Sequence, residues 1–270
     1  MGTRPAAVAG MFYPGEEKRL IAAVEAYLAD ARPAPDARPA PDARPATHAQ
    51  PPKAIIAPHA GYQYSGPIAG SAYGSLIPYA KGIERVILVG PSHRVPFSGV
   101  ACSRAAAFAT PLGAVPVDRD ALEALLRDGL IVENDVAHAR EHSLEVHLPF
   151  VQRVFPGACV VPLLAGDHDF ASAAAIFARL WGGPETAIVV SSDLSHYHDY
   201  ETACRLDRET AEAIEARQAG AVDFDQACGA TPVNALLQIA ADKGLSAATI
   251  NLRNSGDTAE RALQAMERQV

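Results

Sequence analysis

Apolar residues in this chain gather in short, nearly unbroken runs: KAIIA at 53–57, RVILVG at 85–90, ACVVPLL at 158–164, TAIVVSS at 186–192 and SAATINL at 246–252. A strand with one wetted face alternates apolar and polar residues, so these runs predict strands covered on both faces. Between and around them, apolar positions recur every three or four residues in EEKRLIAAVEAYLAD, DRDALEALLRD, SLEVHLPFVQRVF, FASAAAIFARLW, ETACRLDRETAEAIEAR and TPVNALLQIAADKG. That spacing predicts helices. Strands alternating with helices point to a three-layer α/β/α fold around a largely parallel, mixed sheet.

The pattern breaks at DARPAP, DARPAP, DARPAT from Asp30 to Thr47, where one hexapeptide is written three times. Proline fixes φ and removes a backbone donor, so residues 30–52 are expected to form an extended surface loop. The helix before the loop is too small to bury a core alone. One domain over residues 1–270 is therefore expected, and a chain that is 49% hydrophobic can fill it.

Composition narrows the partners. A formal net charge of -8 with no basic stripe argues against nucleic acid or an anionic membrane surface. No run of about 18 apolar residues occurs and the first residues lack a signal-peptide apolar segment, so a soluble cytoplasmic protein is expected. Cys102, Cys159, Cys204 and Cys228 are widely spaced with no CxxC, which reads as reduced thiols.

In open α/β sheets, ligands bind beyond the carboxyl ends of the strands. Three of the runs deliver a histidine there: KAIIA is followed by PHAGY with His59, RVILVG by PSH with His93, and TAIVVSS by DLSH with Asp193 and His196. One such histidine is ordinarily a hydrogen-bonded structural residue. Three at equivalent positions predict a shared site. Two histidines anchor a transition metal if a third donor completes one face, and Glu141, Asp193 and Cys228 are the candidates. Cys228, in DQACGATPVNALL, precedes a helix, where a thiol is readily ionised, although most free cysteines are small buried hydrophobes.

AREHSLEVHLPF at 139–150 adds further candidates. Leu144, Leu148 and Val151 would face the core of its helix, leaving Glu145 and His147 on the wet side. Glu141 and His142 precede that helix, with Ser143 as a cap, and could reach the strand edge to support a ligand. Tyr62 and Tyr64 follow His59 and are candidates for the pocket lining, although tyrosines near a site more often pack with a satisfied hydroxyl. His48, His138, His168 and His198 sit in polar stretches and read as solvated.

Taken in order, VAGMFYP, IIAPHAGYQYSGPIAGSAY, ILVGPSHRVP, TPLG, EHSLEVHLPF, VVPLLAG, VVSSDLSHY and CGATPVNALL resemble the Memo family, also described as AmmeMemoRadiSam system protein B. That family is related to class III extradiol dioxygenases of the LigB type. The resemblance implies a dioxygenase-like fold and a metal pocket of His59, His93 and Cys228, holding one transition metal ion, iron or copper, with zinc also compatible. In the related dioxygenases a carboxylate stands in place of the cysteine and Fe(II) occupies the triad. His196 matches their acid–base histidine, with Asp193 beside it. A thiolate is softer than a carboxylate and favours copper(I), zinc or redox-active iron, but is itself open to oxidation. The chain departs from the family in its DARPAP insertion and in its ending. NSGDTAERALQAMERQV keeps SGD but reads as a short helix in place of a VGY-type terminal strand.

Two functions from different classes follow. One is a metal-dependent oxidoreductase in which His196 transfers protons and Asp193 orients a neighbour or binds a polar substrate group. The other is a non-catalytic protein that uses the same cleft for a peptide or small ligand. A hydrolase ranks behind both, because there is no GxSxG and Ser92 is only a sequence neighbour of His93.

Overall fold

The computed structural model describes residues 2–31, 51–167 and 169–258. In its first half lie β1 (Thr3–Arg4), α1 (Glu17–Ala29), β2 (Ala54–Ala57), α2 (Tyr62–Gly74), β3 (Arg85–Pro91), β4 (Val100–Cys102), β5 (Ala107–Thr110), β6 (Gly113–Pro116) and α3 (Arg119–Arg127). There follow β7 (Val132–Glu133), α4 (Asp135–Ala139), α5 (Leu148–Val154), β8 (Cys159–Ala165), α6 (Phe170–Leu180), β9 (Thr186–Ser191), α7 (Tyr200–Glu215) and α8 (Ala230–Asp242).

A six-stranded sheet runs in the order β2–β9–β3–β8–β4–β7. The first four of these strands pair in parallel, β4 is antiparallel to β8, and β7 is parallel to β4. On one side α1, α2 and α5 pack together, and on the other α6 packs against α8, which also meets β3 and β9. The fold is therefore α/β/α in three layers, with a mostly parallel, mixed sheet. Val86, Ile87, Leu88, Val160, Val161, Val189 and Val190 are wholly enclosed, as unbroken apolar runs require when helices cover both faces. A separate small sheet, β1–β5–β6, is not signalled by any long apolar run.

Four of the five expected strands form within a residue of their expected bounds. SAATINL does not: residues 246–252 are irregular, and Thr249 N donates to Glu215 Oε1 instead of to a ladder. The ending is helical over 255–258, and its remaining residues lie outside the described ones, as does most of the DARPAP segment.

Helix α2 was not expected, because YQYSGPIAGSAYG carries Pro67 and three glycines. Its helicity follows from packing. A Cβ at Gly66 would lie 2.4 Å from the Tyr27 ring, one at Gly70 would lie 2.4 Å from the Tyr27 carbonyl oxygen, and one at Gly74 would lie 2.8 Å from Ala31 Cβ. The glycines, four residues apart, form a groove that admits α1 at a separation no side chain would allow. Tertiary contact here outweighs poor intrinsic propensity.

The segment before α5 differs from expectation in a way that matters for the site. Glu145–His147 form a 3₁₀ turn, and both side chains that were expected on a wet face are completely buried. The cause is the N-terminal segment, which lies across them. Glu145 accepts from Arg4 Nη1 at 2.6 Å, Tyr13 Oη at 2.7 Å, and the backbone amides of Ala7 and Val8. His138 is likewise buried, not solvated, and its Nε2–H donates to Ala101 O at 3.1 Å.

Two expectations follow. Removing one partner of the enclosed Arg4–Glu145 pair leaves the other charge uncompensated, so Glu145→Ala should cost about 3–5 kcal/mol in urea unfolding. Burial holds the His138 imidazole down at about 4, so it stays neutral in the fold while an unfolded chain takes up a proton near 6.5. Its contribution is thus intact above pH 6.5 and is lost as pH falls toward 4. The difference is worth about 3 kcal/mol, and His138→Gln should reduce the acid-induced loss of stability in that window by this amount.

Candidate metal centre

Strand β9 lies between β2 and β3 in the sheet, and all three point the same way, so their carboxyl ends stand side by side. His59 comes two residues after β2, His93 two after β3, and Ser191 closes β9. The His59 and His93 rings are 5.0 Å apart between centroids. The third imidazole at this edge is His142, whose ring lies 4.7 Å from His93 and 5.4 Å from His59. One ligand nitrogen from each of the three falls within 4.8 Å of the others. His142 was expected to support a ligand; its ring also belongs to the group of three that could hold an ion.

Each donor is held by a different device. His93 rests on Glu141, which is buried and accepts four N–H groups. These are His93 N at 2.6 Å, His93 Nδ1 at 3.0 Å, His142 N at 2.9 Å and Ser143 N at 3.0 Å. Despite burial, the adjacent His142 and His93 rings together with the backbone amides of Ser143 and His93 keep the carboxyl far below the usual carboxylate range. Glu141 is thus engaged in positioning, with three of the four N–H contacts on Oε1 and one on Oε2. His93 Nδ1–H points at it, which leaves Nε2 for the pocket.

His142 is stacked on His93 and packs against Phe12, with ring centroids 4.6 Å apart. Its Nδ1 stands 3.1 Å from Glu141 Oε1 but out of hydrogen-bond alignment, and so is a buried nitrogen without a hydrogen-bond partner. The ring thus stands in the histidine cluster with one nitrogen uncommitted, and an imidazole in this setting suits a metal ion.

His59 is 1% exposed, and its backbone amide and that of Ala60 both donate to Asp193 Oδ1, at 2.7 and 3.3 Å. Asp193 Oδ2 lies 4.0 Å from His59 Nε2. This carboxylate therefore fixes the turn after β2 and sets a negative charge beside the imidazole. Although burial opposes it, Asp193 and Cys228 raise the affinity of His59 for a proton.

Cys228 reaches the same place from the loop before α8. Its Sγ is 3.4 Å from His59 Nε2. Burial disfavours its thiolate, but hydrogen bonds with His59 and His93 prevail and bring the thiol down to about 6. The approach depends on Gly229: a Cβ there would lie 2.7 Å from both Ser191 O and Ser192 Cβ, while the Gly229 amide donates to Ser192 Oγ at 2.9 Å.

The remaining expected residues separate. His196 is exposed on the loop after β9, near enough to Asp193 to favour its charged form, and it lies beside Tyr197, a non-glycine residue at φ 62°. Tyr62 does not line the pocket: it is buried, its hydroxyl donates to Val146 O at 2.8 Å, and its ring packs on Tyr13, Tyr27 and Phe150. Tyr64 is partly exposed at 39%. His198 is exposed, whereas His48 and His168 lie outside the described residues. Sequence reasoning missed the roles of Ser191 and His147, which join His59 through hydrogen bonds of 2.6 and 3.0 Å at the Ser191 hydroxyl. The available signal was the polar pair SS closing an apolar strand. Among the described residues, no helix is long and apolar enough to cross a membrane.

Comparison with known proteins identifies the family. The family model described as Memo-like protein matches residues 4–266. A MEMO1 family protein of Pyrobaculum arsenaticum is 33% identical over 96% of this chain and 94% of its own length. Another, from Thermotoga maritima, is 36% identical over 78% of this chain and 77% of its own, and one from Methanopyrus kandleri is 32% identical over 87% and 85%. With a family match over nearly its whole length and relatives of this similarity, the chain belongs to the Memo-like protein family.

Proposed function

We propose that this protein is a cytoplasmic, metal-dependent oxidoreductase whose centre resembles that of the extradiol dioxygenases. The observation that carries the reading is the convergence of His59, His93 and His142 within 4.8 Å beside the Cys228 thiol. This set of borderline and soft donors suits iron or copper, with zinc also compatible. The four free thiols, with no disulfide among the described residues, support a reducing compartment.

His59, His93 and Cys228 would hold the ion, and His142 offers a further nitrogen. A bound iron or copper would supply one-electron chemistry and polarise a substrate oxygen. Glu141 keeps the His93 ring oriented, and Asp193 keeps the turn carrying His59 in place. His196, on the same strand edge and beside Asp193, is suited to exchange a proton between a bound substrate and solvent. Its exposure means that substrate binding would have to enclose it.

Anaerobic purification followed by metal analysis tests the centre. The unaltered chain should hold close to one equivalent of iron, copper or zinc, and His59→Ala, His93→Ala and Cys228→Ser should lower affinity by 10-fold or more. Metal content unchanged in those variants would sink the proposed site. Added metal at about 100 times its Kd should stabilise the fold by about 2.7 kcal/mol, a gain lost in His59→Ala. Oxygen uptake with catechols then separates turnover from ligand binding. Inactivity across such substrates with metal bound would favour a non-catalytic binder of a peptide or small molecule in the same cleft.

A further inference from the structure

Behind the candidate centre runs a buried chain of polar side chains that neither holds the proposed ion nor faces solvent: Tyr73, His147, Ser191 and Ser143. All four are buried, with Tyr73, His147, Ser143 and Ser191 at 0% exposure. We propose that this chain is a positioning device that locks the His59 proton on Nδ1 and so presents Nε2 as the bare donor at the centre.

The assignment follows from counting hydrogens. The Ser191 hydroxyl lies 2.7 Å from Ser143 O, and a carbonyl oxygen only accepts, so the single hydroxyl proton of Ser191 is committed there. Two imidazole nitrogens also contact the same oxygen, His59 Nδ1 at 2.6 Å and His147 Nε2 at 3.0 Å. With no proton left to give, Ser191 Oγ must accept from both, one on each lone pair. His59 therefore bears its proton on Nδ1, and Nε2 faces Cys228.

His147 is subject to the same logic one link further back. Its Nε2–H is donated to Ser191, which leaves Nδ1 bare to accept from the Tyr73 hydroxyl at 3.2 Å. Burial and the neighbouring His59 keep this imidazole neutral, down to about 3, as a single-proton ring in the middle of such a chain must be. Ser143 is fixed at the other end: its amide donates to Glu141 and its hydroxyl to Pro91 O at 2.7 Å. The carbonyl that fixes the His59 proton thus belongs to the residue whose amide helps hold Glu141, the anchor of His93. One short segment sets the ring orientation of both histidines.

Long-range proton–nitrogen NMR on the full chain labelled at histidine reads the tautomer directly. It is best done on metal-free Cys228→Ser at pH 8, where no thiolate draws a second proton to Nε2. The expected result is a neutral His59 with its proton on Nδ1, and adding Ser191→Ala should populate the Nε2–H form. In the otherwise unaltered chain, Ser191→Ala should weaken zinc binding by about 10- to 100-fold. A neutral His59 protonated on Nε2 in Cys228→Ser, or a tautomer indifferent to Ser191→Ala, would overturn the assignment. If Ser191→Ala does not fold, the Cys228→Ser spectrum decides alone. The zinc arm rests on the metal reading above: spectra as expected in a chain that binds no zinc would refute that reading and leave the tautomer assignment in place.

Discussion

A carboxylate withdrawn from water must be met by fixed donors, and the segment EHSLEVH contains two that are almost wholly enclosed, Glu141 and Glu145. Each recruits a different part of the chain. Glu145 gathers Arg4, Ala7, Val8 and Tyr13, fastening the N-terminal segment over the sheet. Glu141 gathers His93, His142 and Ser143, fastening the rim of the centre. Solvation of the charges is thereby exchanged for geometry, and the polar segment between α4 and α5 becomes the framework on which the histidines rest.

The centre contains nitrogen and sulfur donors within reach of one another while the nearby carboxylates, Glu141 and Asp193, hold backbone amides. That division of labour distinguishes this arrangement from a carboxylate-bearing iron triad. It also places Phe12, from the segment tied down by Glu145, against His142, so the N-terminal segment contributes to the wall of the centre.

The strands that carry the site were legible because covered strands need continuous apolar runs, and the residues after KAIIA and RVILVG were legible because a parallel sheet collects its loops at one edge. Helix α2 was not, since Gly66, Gly70, Gly74 and Pro67 argue locally against a helix and only the backbone of α1 explains them. Glu145, His147 and His138 looked solvated for a similar reason: a polar side chain in a polar stretch gives no local sign that a distant segment will cover it.

The sequence by itself determined the layered fold, the edge at which chemistry would gather, and His59, His93 and Cys228 as residues worth bringing together, because strand periodicity and the Memo-like motifs are local properties of the chain. Only the tertiary structure decided that His142 stands beside His59 and His93 and that Glu141 holds His93 in place. It also brought the Ser191 hydroxyl to 2.6 Å from His59 Nδ1 and 2.7 Å from the Ser143 carbonyl oxygen. Those arrangements depend on hydrogen-bond partners separated by 44 residues or more along the chain, and hydrogen-bond direction exists only once the donors and acceptors have been folded into contact.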